Sequence, residues 1–542
     1  VSNAGWIDGN AADGLRACLK EEFSDLYVFH LRGNARTSGE QRRKEKGNVF
    51  GEGTRTPVSI NVFVKNPNSD EQGRIFLHDI GDYLDQKQKL AIVQNFGSIG
   101  GISSSQGWNP ITPDEHNDWL NQRDSSFDAF IKIGDKKSKS EPAIFSNYSS
   151  GLKTNRDAWC FNGSREALLG NVERSIDFYN SEVERYKLEG SGQSAKEFVS
   201  KDHTRISWDR TEIAGVEKGK KINFDPLSVY NAMYRPFTKQ WSYFNRRFNN
   251  CVYQMPRVFP NPQIATPVIC LTGGSAPVFS CFMASSLPEF LMMFNGQCFP
   301  LNVYVEQAEV NDEDLFSDGS SERTAAKQDG VSDAGLKHFQ AAYPGEEITK
   351  EDVFYYVYGL LHSEDYRSRY ADNLSKELPR IPCVKKAEDF WAFSRAGRAL
   401  GDLHVNYESV APYSVTIKQG DLRTAVIKDP EAFYRVTKMK FGGNARAKDK
   451  STVIYNANIT MQDIPLEAYD YVVNGKPALE WVMERQVVKT DKKSGITNDA
   501  NRYAIETMDN PAYPLELFQR VITVSLETMK IVRGLPKLEI HG

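Results

Sequence analysis

Residues 1–31, VSNAGWIDGNAADGLRACLKEEFSDLYVFHL, indicate the fold class of the first part of the chain. The apolar run LYVFHL is typical of a buried strand, and residues 11–22 have the composition of a helix with Asn10 as its N-cap. The opening residues resemble the tail of another strand, so the chain begins inside an element and without Met. We therefore predict an α/β unit that continues a longer polypeptide.

The elements that follow predict a boundary between two domains. The strand-like segments VSINVFVKN and RIFLHDI flank a turn signal and predict a β-hairpin at residues 58–80. The polar stretch GDKKSKSEP is typical of a linker, and short aromatic-rich strands broken by helices come after it. We predict domains at residues 1–138 and 139–542. A helix capped by Thr349 and an amphipathic helix near the C-terminus are predicted in the second domain.

The composition is that of a globular protein. At 542 residues the chain exceeds the size of a single core, and its net charge is −4. No apolar run approaches the roughly 18 residues of a membrane span, so we expect a cytoplasmic protein without membrane contact. The seven Cys are scattered without a C-x-x-C pair, and the eight His lie singly. This pattern predicts neither disulfides nor a metal site, and His362 and His404, in apolar surroundings, are predicted to be structural.

The charge is unevenly distributed along the chain. Between Asp225 and Glu289 there is no acidic residue, whereas this segment carries the basic residues Arg235, Lys239, Arg246, Arg247 and Arg257. The stretch KMKFGGNARAKDK has five basic residues and one acidic residue. Residues 305–335 carry nine acidic residues and two basic ones, which predicts a solvated acidic loop.

The segment GLKTNRDAWCF is a candidate phosphate-binding loop. Lys153, Thr154 and Arg156 have side chains that bind phosphate oxygens, and Asp157 is placed to orient Arg156. The alternative is a capped turn with a local pair between Asp157 and Arg156. The sequence alone leaves both interpretations open.

The segment YRPFTKQWSYFNRRFNN alternates cations with aromatic rings. Cations neutralise phosphates and rings stack on bases, so the pattern is typical of a nucleic-acid surface. Strand alternation with the rings turned inward explains part of the same pattern. We predict DNA contacts for Arg235, Lys239, Arg246 and Arg247, and for Arg257 further along the chain.

The segment DNPAY at residues 509–513 is similar to the Asn-Pro-Pro-Tyr signature of amino-methyltransferases. Its second Pro is replaced by Ala, no Gly-rich strand-loop precedes it, and a helical pattern follows at once. We predict that it is the turn at which a helix begins.

Long phrases of the sequence resemble the C-terminal portion of type ISP restriction-modification enzymes. The phrases are FSNYSSGLKTNRDAWCFN, YNAMYRPFTKQWSYFN, GQCFPLNVY, EDVFYYVYGLLHSEDYRSRYADNLSKELPRIP, DFWAFSRAGRALGDLHVNYE and GKPALEWVMERQVVKTDKKSGITNDANRY. They extend over the chain after about residue 140. In this family one polypeptide carries a nuclease, a translocase, an adenine-N6 methyltransferase and a target-recognition domain, in that order.

The resemblance implies a fold and a function. Residues 1–138 would be an α/β remnant, the last strands and hairpin of a Rossmann-like methyltransferase, and residues 139–542 a large mixed α+β target-recognition domain that binds double-stranded DNA. Phe50 matches the aromatic that can stack on the flipped adenine. The alternative for Phe50 is a core ring that anchors the hairpin.

The resemblance also implies that methylation requires parts of the enzyme that are not in this chain. The S-adenosylmethionine-binding loop and the Asn-Pro-Pro-Tyr motif precede this region in the family and do not occur in the 542 residues. We therefore expect no catalytic residue in this chain, no S-adenosylmethionine binding by it alone, and no methylation without the preceding nuclease, translocase and methyltransferase regions. Two other hypotheses are a free-standing DNA-binding specificity subunit and an enzyme that binds a small molecule in the aromatic-rich region.

Overall fold

The computed structural model describes residues 1–37, 39–51, 53–136, 141–190, 192–273, 276, 278–306, 325–422, 426–444 and 447–540. The chain forms two compact units. Unit 1 comprises Val1–Ala129 and Ser368–Pro379, and unit 2 comprises Phe130–Arg367 and Arg380–Gly542. The assignment of residues 1–138 and 139–542 to two functional domains stays a prediction, because these units are defined by packing alone.

The secondary structure is a mixture of helices and short strands. The strands are β1 Ser2–Asn3, β2 Asp25–Arg32, β3 Val58–Val64, β4 Arg74–Asp79, β5 Asn109–Ile111, β6 Ile131–Gly134, β7 Ala143–Phe145, β8 Ser149–Ser150, β9 Phe161–Asn162, β10 Val229–Arg235, β11 Thr238–Tyr243, β12 Val268–Leu271, β13 Cys281–Ala284, β14 Leu287–Pro288, β15 Gln297–Pro300, β16 Asn302–Glu306, β17 Ala325–Asp329, β18 Arg380–Ile381, β19 Thr416–Ile417, β20 Lys440–Gly443, β21 Lys448–Ile454, β22 Thr460–Gln462, β23 Val472–Val473, β24 Lys476–Pro477, β25 Val488–Thr490 and β26 Thr497–Asp499. The helices are α1 Asp13–Glu22, α2 Gly39–Lys44, α3 Gln86–Phe96, α4 Ile99–Ser104, α5 Asp157–Cys160, α6 Arg165–Glu189, α7 Ala195–Phe198, α8 Arg210–Glu217, α9 Met255–Val258, α10 Asp333–Ala342, α11 Lys350–Leu360, α12 Glu364–Arg369, α13 Ala371–Lys376, α14 Ala387–Val405, α15 Pro430–Tyr434, α16 Ala478–Arg485, α17 Ala500–Glu506 and α18 Tyr513–Arg533. In the described part of the chain, no helix has both the length and the apolar composition needed to cross a bilayer.

Unit 1 is built on a five-stranded sheet with the order β1-β3-β2-β4-β5. Strand β2 is antiparallel to β3 and parallel to β4. The predicted hairpin at residues 58–80 is therefore wrong, because β2 lies between its two strands. The reason is burial: Leu26 and Val28 of β2 are fully buried, so this strand takes a central position in the sheet.

The first helix begins later than the sequence predicts. Asn10 lies in a 3-10 turn, and α1 starts at Asp13 without a side-chain cap. The Asn10 amide donates instead to the carbonyl oxygen of Lys376, at 3.1 Å. The predicted N-cap is therefore wrong, because a tertiary hydrogen bond uses the side chain.

Unit 2 contains several small sheets, and many of its described buried side chains belong to a large core cluster. Two four-stranded sheets have the orders β14-β10-β11-β9 and β13-β12-β15-β8, and a third has the order β19-β22-β21-β20. Strands β16 and β17 pair along the ends of the predicted acidic loop, from Asn302↔Asp329 to Glu306↔Ala325. The prediction of a loop over all of residues 305–335 is therefore wrong at its ends, whereas residues 307–324 lie outside the described residues.

Helices α11 and α14 of unit 2 pack unusually close together. A Cβ atom on Gly397 would lie 1.9 Å from the carbonyl oxygen of Tyr355, and one on Gly359 would lie 2.1 Å from that of Phe393. Only glycine permits this approach at either position. The predicted Thr349 cap is confirmed, since its hydroxyl accepts from the Asp352 amide in a capping box.

The interior of unit 2 encloses two histidines, as the sequence predicts. His362 and His404 are 2% and 0% exposed. The His404 ring is hydrogen-bonded to the Tyr358 hydroxyl at 2.6 Å and to the Thr528 hydroxyl at 3.0 Å. Burial lowers the pKa of His404 to about 3, because the charged imidazolium is poorly solvated there.

We expect His404 to make the protein sensitive to acid. Because its pKa in the folded state lies below the ordinary value, its contribution to stability is present above about pH 6.5 and is lost as the pH falls toward 3. The stability advantage of the wild type over His404→Gln should shrink by up to about 1.4 kcal/mol per pH unit below pH 6.5. Urea unfolding at pH 7, 6 and 5 measures this difference, with exposed His203→Gln as the control. Parallel pH profiles for wild type and His404→Gln would contradict the assignment.

Candidate nucleic-acid interface

The loop that precedes α5 is tied into unit 2. Lys153 exchanges two backbone hydrogen bonds with Cys251, of 2.9 and 3.0 Å. The Thr154 hydroxyl donates to the Asp157 carboxylate at 2.5 Å. The residue Thr154 is only 1% exposed. No side chain caps the start of α5, so the structure does not bear out the capped turn that the sequence offered as an alternative. The predicted pair of Asp157 with Arg156 is wrong, since each has another ionic partner.

Arg156 points into the interior. Its guanidinium donates to the Glu212 carboxylate and to the Phe248 carbonyl oxygen, and it lies 4.3 Å from the centroid of the Phe248 ring. The side chains of Arg156 and Glu212 are 2% and 1% exposed. Burial raises the pKa of Glu212 to about 8, despite the opposing effect of Arg156.

Arg235, at the end of β10, holds a second buried network. Its guanidinium donates to Glu289 at 2.5 Å and to Asp157 at 3.4 Å, and it lies over the ring of Tyr234. Burial raises the pKa of Glu289 to about 8, against the effect of Arg235. Asp157 therefore orients Arg235 and not Arg156. A phosphate contact stays a prediction for Thr154, Arg156 and Arg235, whose side chains have these internal partners.

Strand alternation does not separate the rings of the aromatic segment from its cations, because Lys239, Trp241 and Tyr243 of β11 lie on the same face. Phe237 and Tyr243 are fully buried, and the half-buried Trp241 donates from its indole to the Thr507 hydroxyl at 2.9 Å. Lys239, also half-buried, makes an ion pair of 2.6 Å with Glu408. The rings of this segment thus contribute to the core, and Lys239 has an internal carboxylate partner.

Four predicted cations retain access to solvent. Arg246 and Arg247 are exposed on the turn after β11, and Arg257 is exposed on α9. The Asn245 carboxamide oxygen accepts from the backbone amides of Arg247 and Phe248 and holds this turn in shape. Lys153 is half-buried, with its ammonium 5.3 Å from the centroid of the Phe290 ring. Among the described residues, these four have no carboxylate within ion-pair distance.

Phe50 of unit 1 is an exposed ring on a hydrogen-bonded turn. It is 63% exposed, so the alternative of a core ring is wrong. The buried Asn48 accepts from the Phe50 amide at 3.0 Å and donates to the carbonyl oxygens of Gly33 and Thr56. The turn lies between β2 and β3. The hydrogen bonds of Asn48 hold its backbone, and the Phe50 ring faces solvent.

One cluster in unit 1 has the composition of a metal site, within the part of the chain that the structure describes. Potential ligand atoms of Glu115, His116 and Asp128 lie within 4.8 Å of one another. The two carboxylates are exposed, as acidic surface groups commonly are without a metal. The sequence offered no signal for this cluster, because Glu115 and His116 are adjacent and Asp128 is remote.

Comparisons with known proteins identify the family of this chain. A sequence profile described as the Type ISP C-terminal specificity domain matches residues 143–517. The search of curated proteins found no match. The chain is 37% identical to a nuclease-deletion mutant of the Type ISP restriction-modification enzyme LlaGI in complex with a DNA substrate mimic, with a TM-score of 0.83 over 100% of this chain and 39% of that chain.

Two further solved structures are similar over nearly the whole chain. The ATP-dependent Type ISP restriction-modification enzyme LlaBIII bound to DNA is 36% identical, with a TM-score of 0.85 over 99% of this chain and 32% of that chain. The DrdV–DNA complex is 30% identical, with a TM-score of 0.81 over 99% of this chain and 50% of that chain.

The matched profile shows that residues 143–517 form a Type ISP C-terminal specificity domain. The chain belongs to the Type ISP family, which confirms the resemblance found in its sequence. It spans between 32% and 50% of the three solved chains.

Proposed function

We propose that this chain binds duplex DNA and recognises a short asymmetric site on behalf of an adenine-N6 methyltransferase and restriction enzyme. The observation that carries the proposal is its similarity, over 99–100% of its length, to three relatives described as DNA complexes. Contacts to phosphates would position the duplex, and polar side chains of unit 2 would distinguish the bases.

Unit 1 would supply the end of the methyltransferase core. Its β2 and β3 form an antiparallel pair whose connecting segment carries the exposed Phe50. Phe50 would stack on an adenine flipped out of the duplex.

Two features among the described residues, the DNPAY segment and the apolar cavity of unit 1, lack groups suited to S-adenosylmethionine. Asn510 of the DNPAY segment uses its side chain internally, accepting from the Ala512 amide and donating to Glu516. The 250 Å³ cavity of unit 1 is lined mainly by apolar side chains, among them Tyr27, Phe96 and Trp108, and by no acidic group for a ribose. We propose that the preceding part of the intact polypeptide binds this cofactor.

The exposed cations of unit 2 would bind the DNA backbone. Arg246, Arg247 and Arg257 keep their guanidinium groups accessible, and Lys153 keeps part of its side chain accessible. Fluorescence anisotropy with a labelled duplex, repeated over a range of salt concentrations, tests the proposal. We expect log affinity to fall steeply with log salt, whereas a flat response would reject DNA binding and favour a small-molecule enzyme.

Replacing Arg246 and Arg247 together by Ala should weaken binding to all duplexes to a similar degree. Two lost phosphate contacts should reduce the magnitude of the salt slope by about 1.8. Lys492→Ala with Lys493→Ala is the matched control, since these exposed neighbours lie on another turn of unit 2. An unchanged slope for the Arg246 and Arg247 variant, or an equal change in the control, would contradict their assignment.

A further inference from the structure

Two cysteines of unit 2 lie directly opposite each other on neighbouring strands. Strands β12 and β15 are antiparallel, and Cys270 of β12 is the register partner of Cys298 of β15. Both residues belong to the large core cluster, at 0% and 3% exposure, and both thiols are free. The pair is therefore a dithiol enclosed in the sheet.

The hydrogen-bond pattern of the sheet brings these two side chains close together. The Leu301 amide donates to the carbonyl oxygen of the opposite residue, Pro267, at 2.8 Å, which makes them a hydrogen-bonded pair of the ladder. Hydrogen-bonded and non-hydrogen-bonded pairs alternate along antiparallel strands. Three positions further along β12, Cys270 and Cys298 therefore form a non-hydrogen-bonded pair, in which the side chains approach more closely.

The other neighbour of β12 leads to the same assignment. The Thr272 amide donates to the Ser280 carbonyl oxygen at 3.0 Å, immediately beyond the register pairs of β12 with β13. By the same alternation, Cys270 and Phe282 are a hydrogen-bonded pair. The backbone groups of Cys270 thus point toward β13 and away from β15, as a non-hydrogen-bonded partner of Cys298 requires.

This arrangement suits a disulfide. Opposite residues at a non-hydrogen-bonded position have Cα atoms about 4.5 Å apart, and disulfides join Cα atoms separated by about 4.4–6.8 Å. The two thiols already interact, because burial and then hydrogen bonding with Cys298 raise the pKa of Cys270 well above its ordinary value. A disulfide can therefore form without any change in the register of β12 and β15.

Of the two thiols, that of Cys298 is placed to react first. The Lys136 ammonium lies close enough to Cys298 to interact with it electrostatically, and Lys136 is itself exposed. A neighbouring cation favours the thiolate, which is the form of cysteine that attacks an oxidant. Cys270 has no exposed surface and can react only through its partner on β15.

We propose that Cys270 and Cys298 are a redox-sensitive dithiol, which a hydroperoxide converts reversibly into an intramolecular disulfide. The inference goes beyond DNA recognition and does not rest on it. The Cys298 thiolate attacks a peroxide oxygen, the O–O bond breaks, and a sulfenic acid forms while one water is released. The Cys270 sulfur then attacks the sulfenic sulfur, the S–S bond forms, and the oxygen leaves as a second water with the Cys270 proton. A dithiol reductant reverses the change.

The test oxidises the folded chain with hydrogen peroxide, alkylates the remaining thiols and identifies the peptides by mass spectrometry. Cys18, which is exposed on unit 1, is replaced by Ser in every sample so that it cannot join two chains. We expect the peptides of Cys270 and Cys298 to be joined, with two hydrogens fewer than the separate peptides, and to separate after treatment with dithiothreitol. If both thiols are alkylated after oxidation as completely as before it, the inference is overturned.

Two other cysteines are internal references for the effect of position. Cys160 and Cys281 are as deeply buried as the pair, at 0% and 2% exposure, and Cys281 has Leu271 as its register partner on β12. Both should keep free thiols under the conditions that join Cys270 to Cys298. An equal loss of free thiol at all four positions would show unspecific oxidation and reject the dithiol.

A substitution distinguishes the roles of the two thiols. In Cys270→Ala the second thiol is absent, so Cys298 should stop at the sulfenic acid, which dimedone labels. Urea unfolding shows whether this variant is folded, and a folded variant without the label would reject Cys298 as the first thiol to react.

A second criterion uses the native cysteine pair. The joined peptides should form at urea concentrations below the unfolding transition, because the native sheet itself brings the two sulfur atoms together. If the joined peptides appear only where the protein is unfolded, the sheet does not create the dithiol and the inference fails.

Discussion

Arg235→Ala should destabilise unit 2 by about 3 kcal/mol, because it removes a buried cation with several hydrogen-bond partners. Glu289 and Asp157 both lose their guanidinium partner, and the backbone oxygen of Tyr234 loses a donor. The Arg235 side chain is only 9% exposed, so its removal also leaves a cavity. Urea unfolding of the whole chain followed by circular dichroism measures the loss.

Two conservative variants separate the causes of this loss. Arg235→Lys keeps the charge but loses the planar fork, so we expect an intermediate cost. Glu289→Gln should cost less than about 1 kcal/mol, because Gln retains an acceptor for the Leu291 amide. A cost for Arg235→Ala no larger than that of Glu289→Gln would contradict the structural role of the network.

The pH dependence gives an independent measure of the Glu289 environment. Because burial raises the pKa of Glu289 to about 8, its contribution to stability is present at low pH and is lost as the pH rises through 8. Glu289→Gln has no such titration, so it should gain stability relative to the wild type between pH 6 and pH 9. A constant difference over this interval would show that Glu289 is ionised throughout.

DNA binding by folded Arg235→Ala discriminates between the two roles considered for this residue. If Arg235 acts only through its buried partners, the variant should keep the wild-type salt slope at a temperature where it is folded. If it binds a phosphate, as the sequence pattern predicts, the magnitude of the slope should fall by about 0.9.

The cationic segment between Asp225 and Glu289 has properties that the sequence alone did not predict. The absence of acidic residues between Asp225 and Glu289 identified an excess of positive charge, but it did not show which cations face solvent. Carboxylates outside this segment pair with two of its cations: Asp157 with Arg235 and Glu408 with Lys239. Such pairs depend on tertiary packing, which local composition does not determine.

Two local signals, in contrast, gave correct predictions. The Thr349 cap and the turn that precedes α18 depend on side chains within a few residues, and both are present in the structure. The strand order of unit 1 depends on pairing between segments distant in sequence, and there the hairpin prediction was wrong.

Phe50→Ala should reduce methylation by an intact enzyme that carries this chain by about 10- to 100-fold, the loss expected for stacking worth about 1–3 kcal/mol per base. The exposed ring makes no contribution to the core, so the variant should fold normally. Phe50→Trp keeps an aromatic face for stacking and should therefore retain most activity. Binding to the duplex should change much less than methylation, because phosphate contacts dominate affinity.

The measurement compares methyl transfer with DNA affinity in this chain joined to the preceding regions of a Type ISP enzyme. Fluorescence of 2-aminopurine at the target adenine reports whether the base leaves the stack. Leu15→Ala is the matched control, since this apolar residue of unit 1 is also exposed, at 50%. Equal losses of methylation and binding in Phe50→Ala would indicate a structural role. If Phe50→Ala methylates DNA at the wild-type rate, the Phe50 ring is not part of the base-flipping site.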